Sequence, residues 1–226
     1  MPQKFQTLKK SKKLTKSSQK WLLRQINDPF VELAKKEGWK SRAAFKIIEI
    51  DDKFKIFKKG NLILDLGAAP GGWSQVAVDR VGFGNVLALD LLEIDPIAGV
   101  KFFQQDFLAP NAHEEIIAKF EELKSETKQK FKGFDVVMTD MAANTTGDKT
   151  TDHLRIITLL EESLILAEKI LNAGGSFVGK VFQGGSSDEI LRQLRKSFSS
   201  VKYFKPDSSR KDSSEIYLVA LNFKKS

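Results

Sequence analysis

NLILDLGAAPGGW, residues 61–73, passes from an apolar run through a glycine-rich turn toward a helical pattern, and the fold of the whole chain turns on it. The run from Asn61 to Leu66 is continuous rather than alternating, as in a strand covered on both faces. Gly67, Gly71 and Gly72 let the main chain approach a ligand, and a helix starting there offers unpaired N–H groups. Working outward, six further runs have strand character: NVLALD (85–90), VKFFQ (100–104), FDVVMT (134–139), GSFVGKVF (175–182), VKYFK (201–205) and EIYLVALNF (215–223). Helical periodicity fills the intervals at 74–81, roughly 112–130, 152–171 and 187–198. The 152–171 segment is expected to bury Leu154, Ile157, Leu160, Leu164, Ile165 and Leu171 and to stop at Asn172-Ala173-Gly174-Gly175. This alternation predicts an α/β fold with a doubly wound, seven-stranded and mostly parallel sheet. The last two runs predict a hairpin that adds one antiparallel strand.

At 226 residues with 41% apolar content, the chain can bury the core of one such domain. It has no cysteine, which excludes disulfides, thiolate metal sites and cysteine nucleophiles. Only His113 and His153 offer imidazole, and both precede helical patterns as surface residues would, so no metal is expected. No apolar run approaches the ~20 residues of a membrane span, and the first residues lack a secretory signal's apolar segment. A soluble, cytoplasmic protein without a membrane partner is expected, with a monomer as the default. The net charge of +8 is uneven: residues 1–46 hold 13 Lys/Arg against Asp28, Glu32 and Glu37. The expected division is a basic extension over 1–40 and one domain over 41–226. The extension suits a polyanion, because neutralised phosphates release counterions. A solubilising tail fits a charge run equally well, and a mitochondrial leader would favour arginine where this arm has lysine.

Gly67 is followed by Ala68-Ala69, so the glycine that admits a pyrophosphate in dinucleotide folds is missing. What remains, D-x-G-x-x-P-G-G, resembles the cofactor loop of S-adenosylmethionine-dependent methyltransferases; a turn without a ligand is the competing reading. Asp90, which ends the second run, can accept the ribose hydroxyls of an adenosine cofactor without choosing between NAD and S-adenosylmethionine. Asp106 can accept from an adenine amine beside Trp73 or Phe107, or simply cap its own loop. Asp140 ends FDVVMTD and Lys180 interrupts GSFVGKVF, so two charges emerge at the sheet edge where α/β folds bind ligands. A lysine inside a buried strand is costly unless it is paired or functional. Residues 174–180 also fit G-x-x-x-x-G-K, but Val181 replaces the required Ser/Thr and Lys180 lies in a strand pattern.

SRAAFK (41–46), DLGAAPGGWSQ (65–75), DLLEIDPIAGV (90–100), TDMAAN (139–144), GGSFVGKVFQG (174–184) and PDSSRKDSSEIYLVA (206–220) together resemble the FtsJ/RrmJ-type ribosomal RNA 2′-O-methyltransferases. The resemblance implies a Rossmann-like methyltransferase fold, S-adenosylmethionine as cofactor, and large-subunit (50S) ribosomal RNA as partner, methylated on a uridine ribose 2′-hydroxyl. It also implies a catalytic tetrad of Lys46, Asp140, Lys180 and Glu215, and cofactor contacts from Gly71, Trp73, Asp90, Asp106 and Asp140. Without it, Lys46 and Glu215 read as a solvated helix face and an exposed strand start. Two departures stand out: Ala143 where the family often has proline, and a longer, more charged 112–132 segment. A ribose hydroxyl needs a base as it attacks. Lys180 is the candidate if its pKa falls to ~7–8, which Lys46 would favour and Asp140 and Glu215 oppose. Phe30 and Trp39 are candidates to stack on unpaired bases. The alternatives are an NAD-dependent oxidoreductase, a non-catalytic RNA-binding module, and a transfer RNA substrate.

Overall fold

The computed structural model describes residues 15–126, 132–142, 149–183 and 188–225. The arm lysines at 9, 10, 12 and 13, residues 127–131, Ala143, Asn144 and the His153 side chain lie outside the described residues. Seven strands form one sheet: β1 (Ile63–Leu66), β2 (Val86–Asp90), β3 (Val100–Gln104), β4 (Phe134–Thr139), β5 (Leu171–Phe182), β6 (Phe198–Phe204) and β7 (Glu215–Phe223). Their spatial order is β3-β2-β1-β4-β5-β7-β6. β1 to β5 pair in parallel, while β7 inserts between β5 and β6 and runs antiparallel to both. The expected hairpin is therefore present as β6–β7, and β7 is the antiparallel strand. The strand order reverses between β1 and β4, which places a ligand crevice at their carboxyl ends.

Alternation along each strand sorts its side chains onto two faces. Leu64, Leu66, Leu87, Leu89, Val137, Phe177, Leu218 and Ala220 form one face with α5 (Ala112–Glu126), α6 (Lys149–Ile170) and α7 (Asp188–Ser197). Ile63, Val86, Val136, Met138, Val178, Tyr217 and Val219 form the other, under α3 (Ala44–Phe54) and α4 (Gly72–Val81). The buried stripe of α6 differs from the expected one. Ile156, Leu160, Ser163, Leu164, Ala167 and Ile170 face the sheet, while Leu154 is 57% exposed and Ile165 39% exposed. A glycine on the sheet makes room for that stripe: a Cβ on Gly179 would lie 2.4 Å from Leu160 Cδ1. Leu171, expected at the helix end, instead opens β5.

The described part of the basic segment is helical, which its polar composition does not announce. α1 (Lys16–Ile26) is capped by Thr15, whose hydroxyl accepts the Ser18 N–H. α2 (Pro29–Glu37) carries Pro29 in its first turn, where no N–H is missed, and ends at Gly38 in the left-handed conformation. Among the described residues, no helix is long and apolar enough to cross a membrane.

Candidate active site

The same alternation delivers the charged residues. Asp65 follows Ile63 by two positions on β1, Asp90 follows Val86 and Ala88 on β2, and Asp140 follows Val136 and Met138 just past β4. Lys180 follows Val178 on β5, and its register partner on β7 is Tyr217. All five therefore project to the α3/α4 side, where α3 adds Lys46 from above.

Lys46 and Lys180 are only 6% and 5% exposed, so a charge on either side chain needs a counter-charge. Asp140 supplies it between them. Its Oδ2 lies 3.6 Å from Lys46 Nζ, and its Oδ1 lies 3.3 Å from Lys180 Nζ. Lys180 also donates to the Asp140 main-chain carbonyl at 2.6 Å, and Lys46 pairs with Glu215 Oε2 at 3.3 Å. The four residues expected as a tetrad thus form one connected network. Tyr217 completes it, donating its hydroxyl to Asp140 Oδ1 at 2.8 Å while its ring lies under Lys46 Nζ, 5.5 Å away. Burial alone would raise the Asp140 carboxyl, but Lys180, Lys46 and the Tyr217 hydroxyl outweigh it and hold Asp140 below the ordinary carboxylate range. Burial and the charges of Asp140 and Glu215 push Tyr217 well above its usual value, so it remains a donor.

The glycine turn lies beside this network. Gly71 has φ 108°, a left-handed conformation that favours glycine, and a Cβ there would lie 2.4 Å from Ile97 Cδ1. Gly67 has φ 77°, and a Cβ would lie 2.3 Å from Met141 Cγ. Asp90 braces the turn: its Oδ2 accepts the Ala69 N–H at 2.9 Å and its Oδ1 the Leu92 N–H at 2.8 Å. α4 opens at Gly72 without a side-chain cap hydrogen bond. The Trp73 indole points the other way. It is buried, donates to the Ala43 carbonyl and packs on Tyr217, so what Trp73 offers a ligand is main chain. Asp106 is exposed and caps its own loop through the Leu108 N–H; Gln105, next to it, donates its main-chain N–H to the Asp90 carbonyl.

Beneath the turn, Asp65 is wholly buried. Its Oδ2 accepts the Ser74 hydroxyl at 2.5 Å, while Oδ1 has no partner among the described residues. Burial, joined by the Asp140 and Asp90 charges, raises its pKa to about 7 against the pull of Ser74. Phe30 and Trp39 are engaged within the protein: Phe30 packs on Phe45, and Trp39 leans on the Ile/Val cluster and donates to Glu37. His113 lies in the first turn of α5, near Glu162 and the Phe107 ring, apart from this site.

A sequence model of the FtsJ-like methyltransferases matches residues 39–223. The chain belongs to the FtsJ-like methyltransferase family. It is 52% identical over 221 residues to a ribosomal RNA large subunit methyltransferase E from Xanthobacter autotrophicus, covering 96% of this chain and 83% of that one. A protein of the same name from Rickettsia bellii is 50% identical over 228 residues, covering 98% and 96%. A crystal structure of a ribosomal RNA methyltransferase from Plasmodium falciparum superposes with TM-score 0.66 at 33% identity, covering 82% of this chain and 98% of that one. In this FtsJ-like methyltransferase, Tyr217 and the Asp65–Ser74 pair are site residues that sequence reasoning passed over. Tyr217 was detectable as the same-face neighbour of Glu215 on β7, two residues on.

Proposed function

We propose that this FtsJ-like methyltransferase transfers a methyl group from S-adenosylmethionine to a uridine ribose 2′-hydroxyl of large-subunit ribosomal RNA, in the cytoplasm and on the assembled 50S subunit. The observation that carries the reading is the buried Lys46–Asp140–Lys180–Glu215 network at the carboxyl edge of the sheet. The names of the relatives support the ribosomal substrate. The basic extension over 1–40 would add phosphate contacts.

The residues present suit a cationic adenosine cofactor. Asp90 and Asp140 end the two strands that flank β1, and one buried oxygen of Asp65 on β1 is unpartnered, an acceptor set that suits a cation and disfavours a pyrophosphate. Asp90 would hold the ribose hydroxyls and Asp106 the adenine amine. Gly71 and the Trp73 main chain would let the cofactor approach closely, with Asp140 beside its charged end. When bound, S-adenosylmethionine supplies a methyl group on a positively charged sulfur, open to attack by an oxygen nucleophile.

In the amine form that a base role requires, Lys180 takes the proton of the ribose hydroxyl as the new oxygen–carbon bond forms and the carbon–sulfur bond breaks, so that S-adenosylhomocysteine leaves. The Asp140 carboxylate, already 3.3 Å away, offsets the resulting ammonium charge where it appears. Tyr217 and Lys46 fix both Asp140 oxygens, and Glu215 keeps Lys46 in place.

The test is methyl transfer from radiolabelled S-adenosylmethionine to undermethylated large subunits, with naked ribosomal RNA and transfer RNA alongside. The expected result is label in 2′-O-methyluridine from subunits, reduced at least ~100-fold by Lys180→Met. Transfer that survives Lys180→Met would overturn the mechanism, and label in transfer RNA alone would overturn the substrate.

A further inference from the structure

The loop 205–214, between β6 and β7, is anchored largely through its main chain and leaves two of its hydroxyls idle. Glu49 accepts the Asp207 and Ser208 N–H groups, and the Ser208 carbonyl accepts from Arg42. Yet the Ser208 and Ser209 hydroxyls have no hydrogen-bond partner among the described residues, although these residues are only 0% and 6% exposed. Both line a cleft of about 580 Å³ between this loop and the α1–α2 turn. Leu23, Pro29 and Phe30 form its apolar wall, and Arg42 and Arg210 its cationic one.

Those two arginines share one carboxylate. Asp28 Oδ1 caps α2 through the Phe30 N–H, while Oδ2 accepts from Arg210 Nε at 3.0 Å. Arg42 Nε stands 2.9 Å from the same Oδ2 without the alignment of a hydrogen bond. Two guanidiniums against one carboxylate leave a net positive charge. Among the described residues, the terminal Nη donors of Arg210 have no partner. A net cation, free guanidinium donors and buried, unpartnered hydroxyls make an anion site, and the apolar wall beside them suits a flat or sugar-like group.

Two segments that line the cleft lead along the chain into the catalytic network. Arg42 stands in the turn that leads into α3 and Lys46, and its charge reaches Tyr217. The loop runs directly into Glu215, whose N–H is held by Ser213.

We infer that this cleft seats the nucleotide adjoining the methylated one in the substrate RNA. Its phosphodiester is gripped by Arg42, Arg210 and the Ser208 and Ser209 hydroxyls, and its ribose or base lies on the Leu23–Pro29–Phe30 wall. The inference rests on the RNA-methylation reading above.

The experiment uses the full chain. With undermethylated subunits as substrate, Arg210→Gln is expected to raise KM roughly tenfold while kcat changes far less. The salt dependence of KM should become shallower by ~0.7, the loss of one phosphate contact on a single strand, and S-adenosylmethionine affinity should stay unchanged. Arg210→Lys, which keeps the charge, should recover part of the affinity and guards against a folding defect. In a second arm, the unmodified protein is photo-crosslinked to a single-stranded oligouridylate carrying 4-thiouridine. Adducts are expected within residues 23–30 or 207–212. An unchanged KM and salt slope, or adducts confined to other surfaces, would overturn the cleft assignment. Absence of methyl transfer to any RNA by the unmodified chain would instead overturn the functional reading, and the crosslinking arm still decides the cleft.

Discussion

The face of the sheet under α5, α6 and α7 is built largely of leucine and phenylalanine, whereas the face under α3 and α4 is isoleucine and valine interrupted by Asp65, Asp90, Asp140, Lys180 and Tyr217. Both faces belong to the same seven strands, and adjacent residues of one strand serve opposite purposes. The hydrocarbon face concentrates apolar burial, and the mixed face accepts buried charge, which costs free energy unless every group is matched. The lesson is that a two-residue period can separate stability from chemistry within a single layer.

Substitutions that pull the faces apart test this division. The largest stability loss belongs to the hydrocarbon face: Leu164→Ala, at a wholly buried α6 position, should cost about 2–5 kcal/mol in denaturant melts. The folded fraction should keep its turnover, and a matching drop in kcat would break the comparison.

Asp65→Asn should do the reverse on the mixed face. A carboxyl moved from 3.8 to about 7 is penalised by roughly 4 kcal/mol when ionised. Between those values the folded state holds a proton that the unfolded state has released. Stability from this group therefore falls as pH rises from about 4 to about 7 and is level above that. Asp65→Asn should flatten that slope and raise stability at about pH 8 relative to about pH 5, as measured by guanidinium melts. A wild-type protein whose stability climbs through this interval would show that Asp65 is ionised throughout.

The smallest expected change is Tyr217→Phe, which deletes one hydroxyl from Asp140 and keeps the ring between Trp73 and Lys46. Methyl transfer should drop roughly tenfold with the melting temperature nearly unmoved. An unaffected rate would reduce Tyr217 to a packing residue.

Much of this was legible in the chain. The strand runs, the glycine turn and the single antiparallel strand follow from apolar continuity and punctuation, which local sequence records directly. Asp140 and Lys180 stood out because a charge at the end or in the middle of a buried strand has few explanations. Tyr217 did not, because a tyrosine amid EIYLVAL reads as ordinary strand filling, and only the register with Lys180 reveals what its hydroxyl touches. α6 was misassigned on one stripe for a related reason: a sheet that admits Leu160 over Gly179 rewards small residues such as Ser163 and Ala167, which periodicity counts as neutral. The helices of the basic segment were missed because lysine and serine mask their spacing. Their attachment depends on Asp28, Arg42 and Arg210, far apart in sequence.

The insertion of β7 between β5 and β6 sets a clock for the enzyme. β7 is the last of the seven described strands to be synthesised, yet it supplies Glu215 and Tyr217 and occupies an interior position in the sheet. A nascent chain that has emerged only as far as β6 can pair its first five strands, but it has neither closed the sheet nor completed the charge network. Long-range pairing of this kind comes late in folding. Catalysis should therefore switch on abruptly once β7 has emerged and paired, and methyl transfer can serve as a timer for that step of folding.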